Sequence, residues 1–173
     1  MMNLIDYLPT IPDFPKPGIM FKDISPLLAD KDAFSHAMSE LHRLSLQTPF
    51  DYILGIESRG FIFASALAQI SNKGLIMARK PNKLPTETYS EFYGLEYGQD
   101  YLEVQQNIIP QKAKILLMDD VLATGGTITA AASLVNKAGA QVAGALVLLE
   151  ITELLGRKKL SEAHIETQSL IEI

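Results

Sequence analysis

Four apolar residues in a row, Ile115-Leu116-Leu117-Met118, run into two aspartates, Asp119 and Asp120, and then through Val121-Leu122-Ala123 into Thr124-Gly125-Gly126-Thr127. An unbroken apolar run reads as a strand buried on both faces, as in the parallel sheets of α/β proteins. The aspartates are expected to end it. An Ala-rich helical stretch over 128–138 follows, and Gly139 suits the left-handed position just past a helix. Strand, glycine turn and helix in that order make a βα unit, and few folds are open to a chain built from such units.

The rest of the chain keeps the alternation. Residues 52–56, 75–78 and 142–149 are further apolar strands. Asp30 is placed to cap a helix in which Ala33, Phe34, Ala37, Met38, Leu41 and Leu44 recur at helical spacing. Residues 61–70 read as an apolar helix, 101–105 as a weakly alternating strand, 153–160 as a short helix and 164–170 as an edge strand. The expectation is an α/β fold: one domain over residues 1–173, with a mostly parallel central sheet flanked by helices on both faces. Pro9, Pro12, Pro15 and Pro17 break up the start, so residues 1–29 are expected to form an N-terminal arm. Residues 80–100 carry Pro81, Pro85, Gly94 and Gly98 among Tyr89, Phe92, Tyr93 and Tyr97. A connection of that length is commonly a lid or a binding loop, part of it free to pair as a hairpin.

Composition narrows the function classes. Of 173 residues, 47% are hydrophobic and 20% charged, which provides a core and excludes global disorder. Lys and Arg number 15 against 20 Asp and Glu, so the net charge is 15 − 20 = −5, contrary to a general nucleic-acid binder. The absence of cysteine excludes disulfides, thiolate metal sites and a cysteine nucleophile. His36, His42 and His164 stand in unrelated contexts and do not form a metal-ligand pattern. No stretch nears the roughly 20 apolar residues of a membrane span, and no secretory signal is visible, so no membrane partner and a cytoplasmic location are expected.

Ligands of parallel sheets bind outside the carboxyl ends of the strands. The places to look are therefore Glu57-Ser58-Arg59-Gly60, Arg79-Lys80 and residues 119–127. In the last of these, Ala123 to Thr127 combine backbone N–H groups, two hydroxyls and the positive end of a helix, which is a phosphate cradle in physical terms. It has neither the Gly-Lys-Ser/Thr of a Walker A loop nor G-x-G-x-x-G. Asp119 and Asp120 would repel a polyphosphate but would accept hydrogen bonds from sugar hydroxyls. One phosphate with a vicinal diol nearby, as in a ribose 5-phosphate, fits that pair of features. Arg59, Arg79, Lys80 and Lys83 cluster at neighbouring strand ends and suggest a second anionic site.

Residues 115–127 resemble the phosphoribosyl pyrophosphate signature of the type I phosphoribosyltransferases. Phe14-Pro15-Lys16-Pro17-Gly18, Phe21-Lys22-Asp23-Ile24-Ser25-Pro26, Glu57-Ser58-Arg59-Gly60-Phe61, Arg79-Lys80-Pro81, Lys83-Leu84-Pro85, Leu95-Glu96-Tyr97-Gly98 and Gly156-Arg157 resemble the adenine-specific branch of that family, in its order and over almost the whole chain. The resemblance implies purine salvage: adenine and 5-phosphoribosyl pyrophosphate give AMP and pyrophosphate, with Mg2+ held mainly by substrate and water. It implies a homodimer, an N-terminal hood and a mobile lid. It also implies roles. Asp119 and Asp120 take the ribose hydroxyls, Ala123, Thr124, Gly125, Gly126 and Thr127 the 5-phosphate, and Arg59, Arg79, Lys80 and Lys83 the pyrophosphate. Met20, Phe21, Lys22 and Val121 take adenine, and Glu96, Tyr97 and Arg59 carry the catalysis. Lys22 stands where some members of the family have arginine, which matters little if backbone groups read the base.

Two other readings share most of these residues. A phosphoribosyltransferase for xanthine or for hypoxanthine and guanine would keep the cradle and the basic cluster. A regulator that binds phosphoribosyl pyrophosphate without reacting it would be expected to add a basic nucleic-acid-binding module or to lose the lid, and this acidic chain keeps Glu96.

Overall fold

The computed structural model describes residues 2–94 and 100–173. Its contacts divide the chain into two compact units, Met1–Glu40 and Leu41–Ile173.

In the first unit, two short strands, β1 (Thr10–Pro12) and β2 (Met20–Lys22), pair antiparallel with Ile11 opposite Phe21. The prolines keep both strands short, and the Phe14 and Phe21 rings meet edge to face at 5.0 Å. Helix α1 (Ser25–Ala29) starts where Asp23 accepts from the Ser25 N–H and hydroxyl at 2.9 and 2.7 Å, and it carries proline in its first turn. Asp30 then caps α2 (Lys31–Ser45) by accepting the Ala33 N–H at 2.9 Å, the role read for it in the sequence.

The second unit holds the central sheet. Its remaining elements are β3 (Tyr52–Ile56), α3 (Gly60–Ser71), β4 (Gly74–Ala78), β5 (Thr88–Phe92), β6 (Tyr101–Gln105), β7 (Lys114–Leu122), α4 (Gly126–Lys137), β8 (Gln141–Glu150), α5 (Gly156–Glu162) and β9 (Thr167–Glu172). The five-stranded sheet has the order β4-β3-β7-β8-β9, and every pairing in it is parallel. β5 and β6 form a separate antiparallel hairpin.

Alternate residues of the strands serve opposite faces. Leu54, Ile56, Ile115, Leu117, Ala145 and Val147 join one buried cluster with Ile128, Ala131 and Leu134 of α4. On the other face Gly55 meets α3, where an added Cβ would lie 2.7 Å from the Ala64 Cβ. Helices therefore cover both faces, as right-handed crossovers running outward in opposite directions from β3 and β7 require. Each such fully buried Leu or Ile contributes roughly 1.5–3 kcal/mol, and α3 packs closely only because position 55 has no side chain.

Three boundaries differ from the sequence reading, the first being the edge strand expected over 164–170, which runs Thr167–Glu172. β7 does not stop at Asp119-Asp120: it continues to Leu122, with Asp119 opposite Val147 and Val121 opposite Leu149 of β8. Parallel pairing with a long apolar neighbour carries the two carboxylates into the sheet despite their charge. The helix expected over 153–160 is split, because Leu155 takes a left-handed conformation between a 3-10 turn, Thr152–Leu154, and α5. No described helix is long and apolar enough to cross a membrane.

Candidate active site

Strand β3 hands the chain to β4 in one direction and β7 hands it to β8 in the other. The carboxyl ends of β3 and β7 are thus a topological switch point, where a crevice opens in sheets of this kind. Everything singled out in residues 57–60 and 119–127 lies beside it.

Asp119 and Asp120 lie within the second half of β7, and both are buried. The Asp120 N–H donates to Asp119 Oδ1 at 2.9 Å. Across the switch point, Arg59 Nε lies 2.7 Å from Asp120 Oδ2. The pair is close but not aligned as a hydrogen bond, so this buried oxygen has no hydrogen-bond partner of its own. Burial pushes the Asp119 carboxyl well above the usual carboxylate range, and the Asp120 charge pushes it further. Burial also raises Asp120, with Arg59 pulling the other way.

Gly60 explains how Arg59 gets there. It opens α3, and a Cβ on it would come within 2.8 Å of Asp119 Oδ1 and 3.0 Å of Met118 O. Only a glycine lets the helix start approach β7 this closely.

The second basic group is held by Glu57. Its carboxylate lies 3.1 Å from Arg79 Nε, 3.2 Å from Lys83 Nζ and 2.9 Å from the Lys80 N–H. Burial alone would raise its pKa. The Lys80 N–H, Lys83 and Arg79 outweigh burial and hold it below the usual range. Arg79, Lys80 and Lys83 are therefore brought together, as their sequence proximity suggests, and Glu57 is the residue that gathers them.

The glycine loop is shaped by its neighbours. Gly125 has φ +79°, and a Cβ there would meet Gly156 O at 3.0 Å. Gly156 in turn has no room for a Cβ against Ala123 O. The start of α5 is thus packed onto residues 123–125. At Gly126 a Cβ would sit 3.1 Å from Tyr93 O and 3.8 Å from Lys159 Nζ. Thr129 closes the first turn of α4, donating its N–H and hydroxyl to Gly125 O at 3.0 and 2.8 Å. Thr124 and Thr127 flank this turn.

Three contributors were not visible as site residues in the sequence. Lys159 brings an ammonium group to the glycine loop. Its signal was its place one turn after Gly156, which reads as ordinary surface charge without the fold. Tyr93 follows β5 and sets its carbonyl beside Gly126, and its phenol is raised by burial and then by Asp100, Glu57 and Asp119. Arg157 braces α5: it pairs with buried Glu150 at the end of β8, donates to Thr167 O at 2.7 Å and to Ser169 Oγ at 2.6 Å, and meets Glu172 at 3.0 Å. Gly156-Arg157 was visible only as part of a resemblance.

Val121 lies in β7, half-buried. Met20, Phe21 and Lys22 form β2 of the first unit, with Met20 exposed. Glu96 and Tyr97 lie outside the described residues. The hairpin that flanks them is fixed to α4: Glu91 accepts from Lys137 at 2.6 Å and from Ser133 at 2.9 Å, and Tyr93 N donates to Asp100 O at 2.9 Å. Among the described residues no three His, Asp or Glu side chains converge as a metal cluster.

Residues 22–166 match the model of the phosphoribosyl transferase domain. The chain is 57% identical over 170 residues to the adenine phosphoribosyltransferase of Polynucleobacter asymbioticus, covering 98% of this chain and 99% of that protein. The chain belongs to the adenine phosphoribosyltransferase family. Family members with solved structures superimpose closely. The adenine phosphoribosyltransferase of Thermoanaerobacter pseudethanolicus matches with a TM-score of 0.94 at 43% identity, over 98% of both chains. The Giardia lamblia enzyme, solved with 9-deazaadenine, matches with a TM-score of 0.92 at 36% identity, over 100% of this chain and 99% of that one. As an adenine phosphoribosyltransferase family member, the chain is an enzyme, a glycosyltransferase of purine salvage.

Proposed function

We propose that the chain transfers the 5-phosphoribosyl group from 5-phosphoribosyl pyrophosphate to adenine, giving AMP and pyrophosphate. The observation that carries this reading is the Asp119-Asp120 pair directly before the glycine loop at the switch point, backed by relatives that bear this name.

The residues divide the substrate between them. Backbone N–H groups of 123–127, the hydroxyls of Thr124 and Thr127, and the start of α4 hold the 5-phosphate, with Lys159 adding charge. Asp119 and Asp120 accept from the ribose hydroxyls, with Asp120 Oδ2 ion-paired to Arg59 but accepting no hydrogen bond. Arg59, Arg79, Lys80 and Lys83 take the pyrophosphate. Breaking the bond to pyrophosphate builds oxocarbenium character at the anomeric carbon, while the basic groups stabilise the negative charge that leaves. The purine nitrogen then forms the new bond, and the proton it sheds passes to the residue at the base. Glu96 is assigned that proton, with Tyr97 beside it. Met20, Phe21, Lys22 and Val121 hold the adenine ring.

A hard cation that keeps its waters and takes substrate oxygens suits a site where, among the described residues, no three His, Asp or Glu side chains converge. Mg2+ would be held mainly by the substrate and water, with no dedicated protein ligand. When bound it would neutralise charge on the departing pyrophosphate. Residues 1–173 act as one phosphoribosyltransferase domain, with 1–29 as hood and 80–100 as lid, working in the cytoplasm as a homodimer.

The test is product formation from Mg2+ and phosphoribosyl pyrophosphate with adenine, hypoxanthine, guanine and xanthine in turn. AMP from adenine, with little product from the others, is expected. Preference for another base would overturn the adenine assignment while keeping the ribose-phosphate site. Tight binding without turnover would overturn the reaction.

A further inference from the structure

The edge of the sheet opposite the candidate active site holds a separate cavity of about 520 Å3, at the amino ends of β3, β4 and β7. Three lysines line it: Lys73 just before β4, Lys114 at the start of β7, and Lys112 on the approach to it. A single carboxylate, Asp51, shares the cavity, and it already accepts the Lys114 N–H at 2.8 Å. Among the described residues none of the three ammonium groups has a carboxylate partner. Lys73 instead lies 5.7 Å from the centroid of the Phe50 ring, which also lines the cavity.

His42 forms part of the wall, and its Nδ1 is buried with no hydrogen-bond partner. Among the described residues no carbonyl accepts a hydrogen bond from the three ammonium groups, and the nearby helix-end carbonyls already take other donors. His42 O accepts Ser45 Oγ at 2.7 Å, Leu67 O accepts Ser71 Oγ at 2.6 Å, and Ala68 O accepts Lys73 N at 2.9 Å. Three uncompensated cations around one engaged carboxylate match a compact polyanion. The volume is in the range of small-molecule sites, and Phe50 offers an apolar wall beside the charge.

We infer that this cavity binds a triphosphate group, either inorganic or as the tail of a nucleotide. The site is independent of the reaction proposed above, since none of its residues belongs to the strand ends that carry that reaction.

Nuclear magnetic resonance on the 15N-labelled chain tests it, with inorganic tripolyphosphate and ATP as separate probes. Saturable shifts are expected at the amides of Asp51, Lys73, Lys112 and Lys114 and at the His42 ring. Equal affinity for both probes assigns an inorganic ligand. Tighter ATP binding with shifts extending to Phe50 assigns a nucleotide. Combined Lys73→Ala, Lys112→Ala and Lys114→Ala substitutions should weaken the Kd read at Asp51 and His42 by about tenfold or more, while Lys158→Ala leaves it unchanged. Shifts confined to residues 123–127, or a Kd unaltered by the triple substitution, would overturn the inference. Because the shifts are read in the wild-type chain, a folding defect in the variant cannot hide the answer.

Discussion

Arg59 Nε lies 2.7 Å from Asp120 Oδ2, across the line where β3 and β7 diverge. The contact joins the residue assigned to pyrophosphate with one assigned to the ribose. Arg59→Ala should therefore lower kcat/KM more than the loss of one surface charge would, by about 10²–10³-fold. Steady-state kinetics with phosphoribosyl pyrophosphate varied would check this. Arg59→Lys should recover little, since a point charge does not replace the guanidinium fork.

Asp119 is held for function at the expense of stability. Its folded-state pKa is raised, so the folded chain binds the proton more readily than the unfolded chain. Its contribution thus becomes less favourable as pH rises from the unfolded carboxylate range towards the folded value. Asp119→Asn should raise Tm near neutral pH by about 2–4 °C and abolish turnover. The gain in Tm should shrink as pH falls towards about 4. A thermal-melt series across that range decides it, and a wild type as stable as the variant at neutral pH would sink the argument.

Glu57 should behave in the opposite sense. Its folded pKa is lowered, so its stabilising contribution is present above the unfolded pKa and lost as pH falls through the folded one. Glu57→Gln should cost about 1 kcal/mol near neutral pH, since it removes a charge that pairs with the partly exposed Arg79 and Lys83. The cost should fade in acid. Denaturant titrations at neutral and acidic pH measure the difference.

Much of this was legible from the chain. Continuous apolar runs such as residues 115–118 located the parallel strands, and Thr124-Gly125-Gly126-Thr127 located the phosphate loop. What escaped depended on distance in space. Lys159 is remote from Gly126 in the chain and reaches it only because Gly125 and Gly156 lack side chains. Glu57 was singled out only as part of Glu57-Ser58-Arg59-Gly60, and its gathering of Arg79 and Lys83 depends on the fold. The end of β7 was misjudged because two charges suggested a strand end, whereas pairing with Val147 and Leu149 continued it.

Lys159 offers a selective test. Lys159→Ala should raise the KM for phosphoribosyl pyrophosphate by about tenfold and leave kcat within roughly threefold, because the 5-phosphate is bound equally in ground and transition states. An equal fall in kcat would mean that α5 has moved rather than that a charge was lost.

Gly60→Ala should be costly in both stability and activity. The added methyl would meet the Met118 backbone at 3.0 Å, and backbone cannot swing aside as a side chain can. A loss of about 1–3 kcal/mol is expected by overpacking, together with loss of turnover as α3 retreats from Asp119. Chemical denaturation and kinetics on the same sample separate the two effects.

The mutual fit of residues 123–125 with the start of α5 has an evolutionary corollary. A side chain at position 125 would push against the Gly156 backbone, and one at 156 against the Ala123 carbonyl, so the two segments should drift as a pair or not at all. Arg157, next in sequence, adds Glu150 and Ser169 to the same linked set. Homologues that change α5 should therefore show matching change in the glycine loop. Engineered libraries that vary the two segments separately should yield mostly inactive clones.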